Sequence, residues 1–136
     1  MQDCIFCDTK EMKRQGLLYE DDICYVILEK FPAKAGESLV ISKEHLNDII
    51  AAPDDVVKHM ILVAKKIAIN HKKKLGATGV KFVINQGIKG VHLHILHFHI
   101  HVIPRYEEKQ GGFVNEGSGA EISEKDEEQL VKKLKM

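Results

Sequence analysis

His97-Phe98-His99-Ile100-His101-Val102-Ile103-Pro104-Arg105 is the stretch on which the reading of this chain turns. Strand side chains alternate faces with period two, so an extended run puts His97, His99 and His101 on one face and Phe98, Ile100 and Val102 on the other. Phe, Ile and Val favour strands, and Pro104, which has no amide donor, places the strand end near it. Three imidazoles on one side of a sheet are poor core material, because each ring carries a donor and an acceptor that need partners. Such a face is either a solvated or metal-chelating surface or a catalytic one, and the rest of the chain has to decide.

Working outward, Val80–Ile84 reads as a strand ending in Asn85, followed by a loop with Gly87 and Gly90. His92 and His94 fall on the parity opposite to the three histidines, so they are assigned to that loop as exposed polar residues unless a bulge intervenes near Ile95-Leu96. Upstream, Val57, Ile61, Ala64 and Ala68, with Met60, Val63 and Ile67 beside them, recur at helical spacing. Pro53 opens this helix, Asp54 and Asp55 suit its N-terminal dipole, Lys72-Lys73-Lys74 suit its last turn, and Gly76 terminates it. His59 and His71 on the helix are expected to face solvent or its rim. Glu44–Ala51 also has helical spacing, with Leu46, Ile49 and Ile50 on one side. Leu17–Glu20 and Ile23–Leu28 flank Asp21-Asp22 as a hairpin, and Ser38–Ile41 is a further short strand. Cys24 is a small, inert core residue in this reading. Thr9–Gly16 and Phe31–Glu37 read as connections. Ser123, with Asp126 three residues on, resembles a helix N-cap before Leu130, Val131 and Leu134. The pattern predicts an α+β fold: an antiparallel sheet of about five strands packed with one long helix and one or more short ones.

The chain has 136 residues, 44% of them hydrophobic and 29% charged. That composition predicts one globular domain over residues 1–136. Lys plus Arg and Asp plus Glu both number 20, which argues against a general nucleic-acid binder. No stretch is long and apolar enough to span a membrane, and no basic-then-apolar leader precedes Cys4, so a cytoplasmic location is expected. The three cysteines, Cys4, Cys7 and Cys24, form no even disulfide set, and Cys4-Ile5-Phe6-Cys7 reads as half of a metal site.

A neutral imidazole is a nucleophile near neutral pH, and neighbouring imidazoles can donate protons or bind phosphate. Neither a Ser-His-Asp arrangement nor a phosphate-cradling Gly-rich loop is visible. Cys4 and Cys7 could in principle pair with a histidine for nucleophilic catalysis, but their spacing suits a metal better.

His97-Phe98-His99-Ile100-His101-Val102-Ile103 resembles the His-φ-His-φ-His-φ-φ signature of the histidine triad (HIT) nucleotide hydrolases and transferases. Further landmarks fall in the family's order. Leu39-Val40-Ile41-Ser42-Lys43-Glu44-His45 is similar to its apolar strand and Pro-Lys-x-His, with Ser42 in place of Pro. Phe82-Val83-Ile84-Asn85-Gln86-Gly87 resembles its strand ending in Asn-x-Gly, and Cys4-Ile5-Phe6-Cys7 resembles the Cys-x-x-Cys of many bacterial members. The resemblance implies that His99 attacks the α-phosphorus of a purine nucleotide, forming a nucleotidyl-histidine that water hydrolyses. It implies that His101 contacts the phosphate and assists the leaving group, that Asn85 lines the phosphate end of the pocket, and that Glu29 receives the ribose hydroxyls. Ile5, Phe6, Ile23 and Ile27 are either purine-pocket walls or plain core.

One departure stands out. The family carries Gly-Gln-x-Val before the triad, whereas this chain has His92-Leu93-His94-Ile95-Leu96, and His94 is the candidate replacement as a phosphate donor. Bacterial members with the Cys pair use the His of Pro-Lys-x-His and the first triad His as further ligands, which implies a closed structural zinc site of Cys4, Cys7, His45 and His97. The competing arrangement is a hydrogen-bond relay of His45 and His97 behind His99, with the cysteines unmetallated. The resemblance also implies a homodimer, with the domain core in about 3–106 and a variable tail with a short helix over 107–136. A nucleotide-binding module with weak or no catalysis is the alternative function, and a metal chaperone a weaker third.

Overall fold

The computed structural model describes residues 4–14, 16–86, 95–107 and 121–136. His92 and His94 lie outside the described residues, as does the glycine-rich stretch 111–119. Within the described part, a 3-10 turn at Ile5–Cys7 leads into helix α1 (Thr9–Lys13) and strands β1 (Leu17–Glu20), β2 (Cys24–Leu28) and β3 (Ser38–Ser42). Helix α2 (Asp54–Leu75), strands β4 (Gly79–Val83) and β5 (His99–Arg105) and helix α3 (Glu124–Leu134) complete it. The five strands form one sheet in the order β1-β2-β3-β5-β4, antiparallel throughout. This is the expected α+β architecture.

The register follows from which faces the strands bury. β2 and β3 are buried at every position, as central strands covered on both sides must be. On one face Val26, Leu28, Val40, Ile100 and Val102 pack beneath α2 and α3, against side chains such as Met60, Ile67 and Leu130. On the other, Tyr25, Ile27, Leu39 and Ile41 are covered by Phe6 and Met12 of the N-terminal segment. Ile41 pairs with His99 and Leu39 with His101, which places both histidines on this second face.

Each connection has a local cause. The Asp21 carboxylate accepts the amides of Ile23 (2.8 Å) and Cys24 (2.9 Å), closing the β1–β2 turn. It also accepts the Tyr19 hydroxyl (2.8 Å) and His59 Nε2 (2.6 Å), tying the hairpin to α2. Burial alone would raise Asp21, but these four donors outweigh it and hold the carboxyl well below the usual range. Gly76 ends α2 in the left-handed conformation (φ 72°), as its position predicts. Asp8 caps α1 by accepting the Glu11 amide, so part of the expected Thr9–Gly16 connection is helical.

Two expectations are corrected. Glu44–Ala51 is not a helix but a chain of bends and turns. Asp48 accepts the Ala51 amide (3.0 Å), and the Leu46 carbonyl accepts the Phe98 amide (2.7 Å), so the backbone groups a helix would use are already engaged. His71 does not face solvent. It is fully buried, with Nε2 donating to the Gly36 carbonyl at 2.8 Å, and burial pushes its pKa down to about 4.

Candidate functional site

The three histidines are not equivalent. His97 lies in a bend before β5, with its amide on the Ile95 carbonyl (2.8 Å), so its ring is free to turn away from the strand's alternation. Its Nε2 is 2.7 Å from the Ser42 carbonyl, which can only accept, so in the neutral ring Nε2 carries the proton and Nδ1 the lone pair. That lone pair faces Cys4 Sγ at 3.1 Å and Cys7 Sγ at 3.5 Å. His45 Nδ1 approaches Cys7 Sγ from the other side at 3.1 Å. Ser42, the residue standing where the family pattern has Pro, helps to hold this corner. Its amide donates to the Phe98 carbonyl (3.2 Å) and its hydroxyl to the Glu44 carbonyl (2.8 Å). A proline could provide neither bond.

The ligand atoms of Cys4, Cys7, His45 and His97 all lie within 4.8 Å of one another, so the four could hold a metal ion. Their chemistry fits zinc. Two sulfurs and two imidazole nitrogens form a usual structural set, and a tetrahedral site with ordinary zinc bond lengths has ligand–ligand edges of about 3.5 Å. The hydrogen bond to Ser42 fixes His97 in the tautomer a metal requires. The Cys7 thiol is pushed up, first by burial and then by Cys4, while burial holds His97 below its usual range. His45 Nε2 is buried with no hydrogen-bond partner among the described residues, a cost that metal coordination at Nδ1 would not remove.

His99, 6% exposed, opens β5. Its Nδ1 is 2.6 Å from the His97 carbonyl, so Nδ1 carries the proton and the Nε2 lone pair points away from the backbone. The ring meets Phe6 edge-on, with centroids 5.0 Å apart, and lies 5.0 Å from the His101 ring. His101 Nδ1 is 3.0 Å from Glu37 Oε2. Glu37 was hidden in a stretch that reads as loop, and only its place after Gly36 at the mouth of an apolar strand hinted at more. The structure buries it to 4% exposure beside the triad.

The remaining expected residues fall at varied distances from the chemistry. Glu29 follows β2 and is half-buried, with Oε1 accepting the Phe31 amide at 3.3 Å. Burial and the nearby Glu37 charge push its carboxyl above the ordinary range. Asn85 is half-buried, two residues past Val83, which pairs with His101. Ile27 and Phe6 belong to the apolar cluster beneath the histidines, while Ile5 is 52% exposed.

A five-stranded antiparallel sheet presenting alternating histidines beside a Cys/His cluster defines a histidine-triad protein. The sequence matches the HIT domain family over residues 10–108, and the chain belongs to that family, of the nucleotide hydrolase/transferase kind. It is 36% identical over 106 residues to an adenylylsulfatase, HINT3, from Arabidopsis thaliana, a match covering 77% of this chain and 53% of that one. Among solved structures it resembles a hypothetical histidine triad nucleotide-binding protein from Sulfolobus tokodaii (TM-score 0.81, 27% identity, 96% of this chain and 89% of that one). It also resembles a zinc-bound histidine triad protein from Mycobacterium smegmatis (TM-score 0.76, 29% identity, 98% and 94%).

Proposed function

We propose that this protein is a purine nucleotide hydrolase or nucleotidyl transferase acting on nucleoside phosphoramidates or related nucleotidyl substrates through a nucleotidyl-His99 intermediate. The observation that carries the reading is the short bond from His99 Nδ1 to the His97 carbonyl (2.6 Å), which leaves the lone pair on Nε2 and orients it as a nucleophile. His99 Nε2 attacks the α-phosphorus, and His101, on the same face, donates a proton to the leaving group. Asn85 and His94 bind the phosphate, and Glu29 accepts the ribose hydroxyls. Ile5, Phe6 and Ile27 contribute the apolar side of the base pocket.

Cys4, Cys7, His45 and His97 hold a structural zinc that ties the N-terminal segment to the sheet and leaves His99 and His101 to the reaction. Support comes from the convergence of the four ligand atoms and from the zinc in the Mycobacterium smegmatis relative. We also propose a homodimer. The edge of β1 is covered, since the Met136 amide donates to the Leu18 carbonyl (2.8 Å), while β4 is the sheet's other edge. Phe82 on β4 is 50% exposed, and Ile61 and Leu62 on α2 are 43% and 58% exposed. An edge strand with no further strand partner among the described residues, and exposed apolar side chains such as these, favour pairing with a second copy. No described helix is long and apolar enough to cross a membrane.

The test compares wild type with His99→Ala on a fluorogenic adenosine phosphoramidate. Turnover abolished in the variant, with AMP binding retained, is the expected result. Equal rates, or no turnover by either protein with AMP still bound, would instead make this a nucleotide-binding module.

A further inference from the structure

We infer that Glu37 is the positioning residue of His101, holding a proton on Nδ1 throughout the cycle so that Nε2 alone gives and takes protons; this rests on the proposed reaction. Three observations converge. Glu37 Oε2 is 3.0 Å from His101 Nδ1, and the carboxylate is buried. Its other oxygen, Oε1, accepts the Ala33 amide at 2.7 Å, so the carboxylate cannot swing away. The backbone beneath it is clamped from several sides. The Gly36 carbonyl accepts both Ser38 Oγ (2.9 Å) and His71 Nε2 (2.8 Å), the Glu37 carbonyl accepts the Glu29 amide (2.8 Å), and the Glu37 amide donates to the Lys34 carbonyl (3.0 Å). Tyr106 adds a hydroxyl bond to the Ala35 carbonyl (2.7 Å). This many fixed partners around one turn hold a single acidic side chain against a single imidazole.

The arrangement repeats the logic by which a buried carboxylate sets the tautomer of a catalytic histidine. The balance closes over two half-reactions. In the first, His99 Nε2 forms a bond to the α-phosphorus, the bond from phosphorus to the leaving group breaks, and the leaving group takes its electron pair together with the proton from His101 Nε2. In the second, a water oxygen bonds to phosphorus, the phosphorus–Nε2 bond breaks with its pair returning to His99, and the water proton goes to His101 Nε2. The proton on His101 Nδ1, hydrogen-bonded to the Glu37 carboxylate, stays on that nitrogen in both. Glu37 touches neither substrate nor reacting atoms, so its effect passes wholly through His101.

Glu37→Gln makes the inference sharp, because the amide has one acceptor where the carboxylate has two. If the Gln oxygen keeps the Ala33 amide, its NH2 faces His101 Nδ1, and the neutral ring must move its proton to Nε2. The expected result is a kcat reduced by ~100-fold or more, as for a wrong-tautomer histidine, with KM changed less than about threefold. Glu37→Asp, which restores a carboxylate, should recover part of that kcat. A variant with unchanged kcat, or one whose loss appears in KM instead, overturns the inference. Nitrogen-15 NMR of labelled histidine in the wild-type protein, recorded where the ring is neutral, gives an answer independent of activity and of whether the variant folds. A proton on His101 Nδ1 supports the inference and a proton on Nε2 overturns it. Absence of turnover in wild type would refute the proposed reaction while leaving this ring measurement to judge Glu37 by itself.

Discussion

Replacing His71 by Leu should make the protein less sensitive to acid while costing little at neutral pH. His71 is fully buried in α2, and its Nδ1 has no partner among the described residues. Burial brings its folded pKa to about 4, against an ordinary value of 6.5. Between these values the unfolded chain binds a proton that the folded protein refuses. Stability due to the neutral ring is therefore fully present above pH 6.5 and is lost as pH falls toward 4. The full shift corresponds to about 3 kcal/mol, of which about 2 kcal/mol is lost between pH 7 and pH 5. Leu removes the titration and the unpaired nitrogen, and Ser38 Oγ still serves the Gly36 carbonyl, so the cost at pH 7 should stay near 1 kcal/mol. Urea unfolding of both proteins at pH 5, 6, 7 and 8 measures the difference, in which every other titrating group cancels. Wild type should lose about 2 kcal/mol relative to the variant between pH 7 and 5. A difference independent of pH would refute the claim that His71 is buried and neutral.

Other outcomes follow from single contacts. Gly36→Ala should destabilise the fold by about 1–3 kcal/mol by thermal unfolding. Gly36 has φ 97°, and a Cβ there would stand 2.5 Å from Leu75 Cδ1. The variant should also lose activity, because the turn it strains carries Glu37. Cys7→Ser should abolish stoichiometric zinc by metal analysis and lower the melting temperature, since it cuts the tie between the N-terminal segment and the sheet. Zinc retained at one equivalent would show that the four converging residues are not the ligand set.

The elements with strong periodicity are legible in the sequence itself. The strands, α2, its Gly76 stop and the Ser123 cap all depend on local patterning, and each formed as the residues indicate. Glu44–Ala51 misled because helical spacing of Leu46, Ile49 and Ile50 says nothing about a backbone group taken by a partner distant in sequence, here the Leu46 carbonyl by the Phe98 amide. His71 misled for a related reason. A histidine on a helix reads as polar, and only the carbonyl of Gly36 across the fold makes its burial tolerable. The gathering of Cys4, Cys7, His45 and His97 came from resemblance rather than from spacing, since nothing local joins Cys4 to His97. Glu37 left almost no trace, because its importance lies in the residue it faces 64 positions later.

The central claim is that His99 forms a covalent bond to phosphorus. Intact-mass spectrometry of the protein quenched in acid-free conditions during turnover of an adenosine phosphoramidate tests it directly. The account predicts an added adenylyl group on wild type, mapped to His99 and absent from His99→Ala. Steady turnover without that adduct in rapidly quenched samples, or equal turnover by His99→Ala, would contradict it.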